Sequence, residues 1–126
     1  MSTNILIVAD FLDIQPYIEV SISDDASLKI IGFAQNQEAT FNLCDKYNPD
    51  LILLSDRLQG GKTLGIISNL LDKYPVILIV SLIFSQYPYR IQATEKSAHG
   101  SVFYQHLNSD LLPEIHRVLQ NNIARN

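Results

Sequence analysis

The chain has 126 residues, a formal net charge of −4 and a pI of about 5.1. This acidic balance, with nine Lys and Arg residues scattered singly, argues against direct nucleic-acid binding, which needs clustered cations. A single cysteine, Cys44, excludes an internal disulfide and a multi-cysteine metal site. Hydrophobic residues make up 47% of the chain and charged residues 17%, so we expect one globular domain covering residues 1–126.

The apolar patterning argues against a membrane protein. The first ten residues lack a charged leader followed by a signal-length apolar stretch. The longest apolar run, residues 76–84, is far shorter than the ~20 residues that cross a bilayer. We therefore interpret this run as a buried strand and expect a cytoplasmic protein that does not contact membranes.

Short apolar runs predict five β-strands, in chain order at residues 4–9, 28–33, 51–54, 76–80 and 101–104. The first, third and fourth runs are continuously apolar, which is typical of central strands of a parallel sheet covered on both faces. The second run carries Lys29 and Gly32, which favours an edge position.

Apolar residues at helical spacing predict a helix after each strand. In the first helix Asp13 is a candidate N-cap, and the fourth helix covers residues 89–98. The apolar stripes of the other four helices are Ile14, Ile18 and Ile22; Ala39, Leu43, Cys44 and Tyr47; Leu64, Ile67, Leu70 and Leu71; and Leu111, Leu112, Ile115, Val118, Leu119 and Ile123.

The alternation of strands and helices predicts an α/β fold of flavodoxin type, a doubly wound (βα)₅ parallel sheet with strand order 2-1-3-4-5. Ligands of such folds bind beyond the carboxyl ends of the strands, so the residues there decide the function. Residues 60–63 (GGKT) contain the end of a phosphate-loop motif, but Ser55 or Asp56 stands where the earlier glycine belongs. We interpret this segment as the loop after the third strand.

Four segments, in the right order and at the right spacing, resemble the receiver domains of bacterial response regulators. They are residues 5–10 (ILIVAD), 28–32 (LKIIG), 48–58 (NPDLILLSDRL) and 97–100 (SAHG). The resemblance extends from residue 4 to about residue 123, and is greatest for receivers attached to C-terminal helix-turn-helix DNA-binding domains. It implies a role in two-component signal transduction and transcription regulation.

Receivers of this family accept a phosphoryl group on an aspartate that ends the third strand. Two acidic residues ending the first strand help to hold Mg²⁺, a Ser or Thr ends the fourth strand, and a lysine follows the fifth. In this sequence the acidic pair falls on Ala9 and Asp10, and the acceptor position falls on Ser55. The hydroxyl position falls on Ser81 and the lysine position on Tyr104.

These departures predict a pseudo-receiver that is not an enzyme and is not phosphorylated on aspartate. Asp10 alone provides at most a weak Mg²⁺ site, so we expect no metal and no cofactor. Ser55 has no neighbouring base to activate it, and Tyr104 lacks the fixed charge of an ammonium group, so we expect Tyr104 to pack over the vacant pocket. The expected partners are a protein or a second copy of the chain, and a covalently linked C-terminal DNA-binding domain.

Two alternatives remain open from the sequence. In the first, the chain is a phosphorylatable receiver in which a bulge in the third strand brings Asp56 into the pocket as acceptor. Regular alternation of side chains would instead turn Asp56 onto another face than Ser55. In the second, the chain is a small flavodoxin-type cofactor-binding protein, although residues 9–13 (ADFLD) are acidic and bulky where a phosphate loop should be.

An aromatic cluster follows the fourth strand. Phe84, Tyr87 and Tyr89 lie within six residues around Pro88, and aromatic residues are enriched at protein interfaces. We interpret the three rings as a partner-facing surface, with the alternative that one or two of them fold over the vacant pocket. The three histidines fit no metal-binding spacing and are interpreted as surface residues: His99, His106 and His116.

Overall fold

The structure, a computed structural model, describes residues 2–10, 14–58 and 63–125, with side chains up to residue 122. Five parallel strands form one sheet in the order β2-β1-β3-β4-β5. The predicted fold class and the edge position of the second strand are thereby confirmed. The strands are β1 (Thr3–Val8), β2 (Leu28–Ala34), β3 (Leu51–Ser55), β4 (Leu78–Ile83) and β5 (Gly100–Phe103).

Helices follow the strands as predicted: α1 (Ile14–Ile22), α2 (Gln37–Tyr47), α3 (Thr63–Lys73), α4 (Pro88–Ser97) and α5 (Leu107–Arg125). A 3₁₀ turn, Tyr104–His106, leads into α5. Local sequence explains the ends of α2, because the Asn36 side chain accepts a hydrogen bond from Ala39 N and Asn48 takes the left-handed conformation at φ 48°. No helix within the described residues is both long and apolar enough to span a bilayer.

The core lies in two layers, one on each face of the sheet. Side chains at alternate strand positions pack with α1 and α5 on one face and with α2 and α3 on the other, which is why the central strands read as unbroken apolar runs. Fully buried representatives are Ile7, Leu53, Val80 and Leu111 on the first face, and Leu6, Leu54, Ile79 and Leu70 on the second.

Three apolar residues assigned to the core from sequence lie at the surface. Val76 is 88% exposed, because the chain turns there and β4 begins only at Leu78. Leu64 is 43% exposed, since the buried stripe of α3 runs through Thr63, Ile66, Ile67 and Leu70, one position away. Tyr47, the last residue of α2, is 44% exposed.

Some sequence predictions lie outside the described residues. They are the N-cap at Asp13, the glycines and lysine of the segment 60–62, and the packing of the Ile123 side chain. Thr63, the last residue of the GGKT segment, is described and begins α3 with its side chain buried.

Candidate functional site

A cleft of about 900 Å³ opens at the carboxyl end of the sheet. One wall is formed by the end of β3 and the start of α3, and the other by the β4–α4 loop and the first half of α4. The charged and aromatic residues of its lining are Asp10, Asp56, Arg57, Phe84, Tyr87, Tyr89 and Arg90. The structure thus brings Asp10 and Asp56 to one cleft, whereas Ala9, Ser55, Ser81 and Tyr104 do not line it.

Asp56 reaches the cleft without a bulge in β3. The ladder between β3 and β4 stays in register to Ser55 and Leu82, and Asp56 N continues it by donating to Leu82 O at 3.0 Å. The Asp56 carboxylate accepts hydrogen bonds from two backbone amides, Phe84 N at 2.8 Å and Ser85 N at 3.1 Å. The bulge considered from sequence is therefore absent from this ladder, and both carboxylate oxygens already bind the β4–α4 loop.

Ser55 is fully buried and its hydroxyl is used by the local backbone. The hydroxyl accepts a hydrogen bond from Arg57 N at 3.0 Å and lies 3.1 Å from Arg57 O, to which it donates. Short side chains often bond the backbone two residues on in this way where a loop begins. At the position where receivers carry their acceptor, Ser55 instead shapes the start of the β3–α3 loop.

Ser81 lies inside the sheet and not at the end of its strand. β4 continues to Ile83, and Ser81 stands between Leu54 on β3 and Ser101 on β5. Its hydroxyl is enclosed and has no hydrogen-bond partner within the described residues. The sequence-based placement of Ser81 at the strand end is therefore wrong by two residues, because the apolar run of β4 extends the strand past it.

Tyr104 packs on the β4–α4 loop. Its ring stacks on that of Phe84, with centroids 4.5 Å apart and planes at 28°, and the residue remains 40% exposed. Phe84 lines the cleft and is half-buried, whereas Tyr87 and Tyr89 are 59% and 67% exposed. Of the three aromatic residues grouped from sequence, one faces inward and two face solvent.

The resemblance to receivers implies a Mg²⁺ site, and the described residues at the cleft do not form the group of ligands that it needs. Mg²⁺ requires several oxygen ligands, of which carboxylates are the usual protein contribution. The described residues contain no group of three His, Cys, Asp or Glu side chains that could hold a metal ion. Among the described residues, Asp10 and Asp56 are the carboxylates that line the cleft, and each oxygen of Asp56 already accepts a backbone hydrogen bond.

Two histidines make specific contacts that sequence spacing did not reveal. His99 Nδ1 accepts a hydrogen bond from Ile79 N at 3.0 Å, so an exposed ring continues the ladder between β4 and β5. His116 Nε2 lies 2.7 Å from Asp25 Oδ2. Hydrogen bonds from Ser27 and, second, from His116 lower the pKa of Asp25 to about 2.

Comparison with known proteins gives one curated relative and many similar structures. No family model matches the chain. The transcriptional regulatory protein YdfI of Bacillus subtilis (strain 168) is 23% identical over 119 residues, which are 94% of this chain and 56% of that protein. The chain therefore spans little more than half the length of this relative.

Several solved receiver domains superpose on nearly the whole chain. The isolated receiver domain of RcsB from Salmonella enterica serovar Typhimurium, with the phosphomimetic BeF₃⁻, is 20% identical and has a TM-score of 0.84, covering 96% of this chain and 90% of that one. The chain has the receiver fold. The non-phosphorylated receiver domain of RcsB from Escherichia coli is 19% identical with a TM-score of 0.82, covering 96% and 95%. Promoter-bound RcsB from the same Salmonella serovar has the receiver fold over 62% of its chain, with 17% identity and a TM-score of 0.86 over 96% of this chain.

Proposed function

We propose that this chain is the receiver-like domain of a transcription regulator, which acts through protein contacts and without aspartyl phosphorylation. The main observation behind the proposal is that two backbone amides already bind the Asp56 carboxylate. This carboxylate is the acidic group next to the end of β3, and both of its oxygens accept backbone hydrogen bonds from Phe84 and Ser85. The strand itself ends in a serine, Ser55, whose hydroxyl binds the backbone of Arg57.

The chemistry of phosphoryl transfer supports this proposal. Attack on a phosphoryl donor depends on a positioned nucleophile, a divalent cation and fixed positive charge around the transferred group. Among the described residues of the cleft the cation would find two carboxylates, Asp10 and Asp56, and the latter already accepts two backbone hydrogen bonds. Tyr104, at the position that matches the family's lysine, offers a phenol that stacks on Phe84. The Ser81 hydroxyl is enclosed in the sheet.

The comparisons support an attached DNA-binding domain as the output. The curated relative is a transcriptional regulatory protein of which this chain matches 56%, and similar solved structures include RcsB bound to promoter DNA. The net charge of −4 disfavours binding of this domain itself to DNA, so a separate domain would make the DNA contacts. The exposed rings of Tyr87 and Tyr89 offer a contact surface for a protein partner or a second copy.

Acetyl phosphate tests the proposal directly. The chain is incubated with acetyl phosphate and Mg²⁺, and its intact mass is followed alongside the isolated RcsB receiver domain as positive control. We expect no phosphoryl adduct on this chain and none on the Asp56→Asn variant. A triple variant, Ala9→Asp, Ser55→Asp and Tyr104→Lys, restores the family's residues at three positions where this chain differs from it. Formation of a phosphoryl adduct by this variant would show that the fold supports the reaction.

The alternative receiver with Asp56 as acceptor is favoured by one observation. Asp56 and Asp10 line the same cleft, so two carboxylates lie at the end of the sheet where the reaction takes place in the family. An acid-stable, base-labile adduct on the natural chain that disappears in Asp56→Asn would establish this alternative and refute the proposal.

A further inference from the structure

The cleft is lined by a threonine whose hydroxyl makes no hydrogen bond to the described part of the chain. Thr94, on α4, is 4% exposed and lines the cleft, and its hydroxyl has no hydrogen-bond partner within the described part of the chain. Two other buried threonines donate to backbone carbonyls, Thr40 to Asn36 O at 2.7 Å and Thr63 to Ser55 O at 3.3 Å. The hydroxyl of Thr94 is therefore available to exchange a hydrogen bond with a ligand atom in the cleft.

Residues on α4 and at its N-cap place a positive charge and an aromatic ring on the same side as this hydroxyl. Tyr87, Arg90 and Thr94 all line the cleft, and positions three and four apart lie on the same side of a helix. The Arg90 guanidinium carbon lies 5.5 Å from the centroid of the Tyr87 ring. This cation–π contact restrains the Arg90 side chain, and a guanidinium has five N–H donors with which to bind a carboxylate.

Two arginines of the cleft have no ion-pair partner in the described part of the chain. Arg57 on the opposite wall and Arg90 both line the cleft, and neither forms an ion pair among residues 2–10, 14–58 and 63–122. Of the two carboxylates, Asp56 is already bound by two amides. The two guanidinium groups thus remain without a carboxylate partner in direct contact, and planar carboxylates are the partners that guanidinium groups bind with two parallel hydrogen bonds.

Two exposed tyrosine rings lie at the rim of the cleft. Tyr87 and Tyr89 are 59% and 67% exposed, with ring centroids 6.1 Å apart and planes at 40°. This arrangement leaves ring surface open to a planar apolar group that stacks or meets it edge to face. Half-buried Phe84 extends the aromatic lining toward the interior.

We propose that this cleft binds a small planar aromatic carboxylate. Its carboxylate lies between the Arg90 guanidinium and the Thr94 hydroxyl, and its ring lies against Tyr87 and Tyr89. The volume of about 900 Å³ falls within the roughly 300–1,000 Å³ of small-molecule sites. This inference goes beyond the proposed function and does not depend on whether the chain is phosphorylated.

Benzoate is the probe, titrated into the 126-residue chain while amide NMR shifts are followed. We expect saturable shifts for residues 87–94. Arg90→Gln should raise the dissociation constant about tenfold, as expected for loss of one charge-assisted contact. Thr94→Val should raise it about threefold to tenfold, since one hydrogen bond is lost with little change of shape. Lys96→Gln removes an exposed cation of the same helix that does not line the cleft and should leave binding unchanged.

Two further ligands separate the parts of the proposal. Benzamide keeps the ring without the charge, and cyclohexanecarboxylate keeps the charge without the planar ring, so both should bind more weakly than benzoate. Equal binding of either one, shifts that do not saturate, or an affinity unaffected by Arg90→Gln would overturn the proposal. Arg90 is exposed, so this variant is expected to fold and the test stands even if Thr94→Val does not.

Discussion

Asp56 Oδ1 accepts a hydrogen bond from the backbone N–H of Phe84 at 2.8 Å. The second oxygen accepts from Ser85 N at 3.1 Å, and the Ser85 hydroxyl in turn accepts from Tyr87 N at 3.2 Å. Tyr87 is the residue immediately before α4. A short series of hydrogen bonds therefore connects the end of β3 to the start of α4, and Asp56 is its first member.

Replacing Asp56 by alanine should loosen the β4–α4 loop. Hydrogen bonds to a charged group contribute roughly 1.5–3 kcal/mol, so Asp56→Ala should lower the free energy of unfolding by about 2 kcal/mol and speed amide exchange at Phe84 and Ser85. Asp72→Ala, at an exposed position on α3, is the matched control and should change neither quantity. Unaltered exchange at both amides in Asp56→Ala would show that the carboxylate does not hold the loop.

Replacing two glycines by alanine should change the free energy of unfolding in opposite directions. A Cβ atom on Gly100 would lie 2.6 Å from Val118 Cγ2 and 2.9 Å from Glu114 Oε2, so Gly100→Ala should destabilise the protein by about 1–3 kcal/mol. A Cβ on Gly65, within α3, meets nothing within 4 Å, and Gly65→Ala should stabilise it by roughly 0.5–1 kcal/mol. Urea unfolding of the two variants measures both changes, and a stabilised Gly100→Ala would contradict the close packing of β5 on α5.

Replacing two buried serines by alanine should change the free energy of unfolding in different ways. The Ser55 hydroxyl accepts a hydrogen bond from Arg57 N, and Ser55→Ala should cost about 1 kcal/mol. The Ser81 hydroxyl is enclosed without a partner among the described residues, so Ser81→Ala removes an unpaired polar group and should be neutral or stabilising by up to about 1 kcal/mol. A clear loss of stability in Ser81→Ala would mean that this hydroxyl is paired in solution.

The contact of Asp25 with Ser27 and His116 makes stability depend on acid pH. The folded pKa of Asp25, about 2, lies below its ordinary value of 3.8. Its stabilising contribution is therefore fully present above pH 3.8 and is lost as the pH falls through about 2. We expect the free energy of unfolding to fall less steeply between pH 5 and pH 2 in Asp25→Asn than in the natural chain.

Asp24→Asn provides the control for this pH dependence, because Asp24 is an exposed neighbour on the same turn. Its pH profile should follow that of the natural chain. If Asp25→Asn and Asp24→Asn gave identical profiles in urea unfolding from pH 2 to pH 5, the contacts of Asp25 would not stabilise the folded state.

The sequence predicted the sheet well because buried strands have a recognisable amino-acid composition. The central strands are covered on both faces, so they must be apolar throughout, and Lys29 could be placed at an edge for the same reason. The ends of elements were less predictable. Val76 is as apolar as its neighbours, yet the turn after α3 leaves it in solvent, and periodicity alone does not show where a strand starts.

The candidate site was predicted less completely than the fold. Matching positions to receivers identified Asp10 as a residue at the carboxyl end of the sheet, and the structure places it in the cleft. The role of Asp56 depends on two backbone amides, which lie 28 and 29 residues away along the chain. No local sequence pattern predicts these hydrogen bonds. Arg90 and Thr94 were missed because their side chains meet the cleft only after α4 is folded against the sheet.

The stacking of Tyr104 on Phe84 joins the ends of β4 and β5 through two uncharged rings at 4.5 Å. A lysine at that position would hold the same junction by attraction to a carboxylate or phosphoryl group, and salt would weaken that attraction. An aromatic contact is not screened by ions. The packing between these two strand ends should therefore depend less on ionic strength than an ion pair at the same junction would.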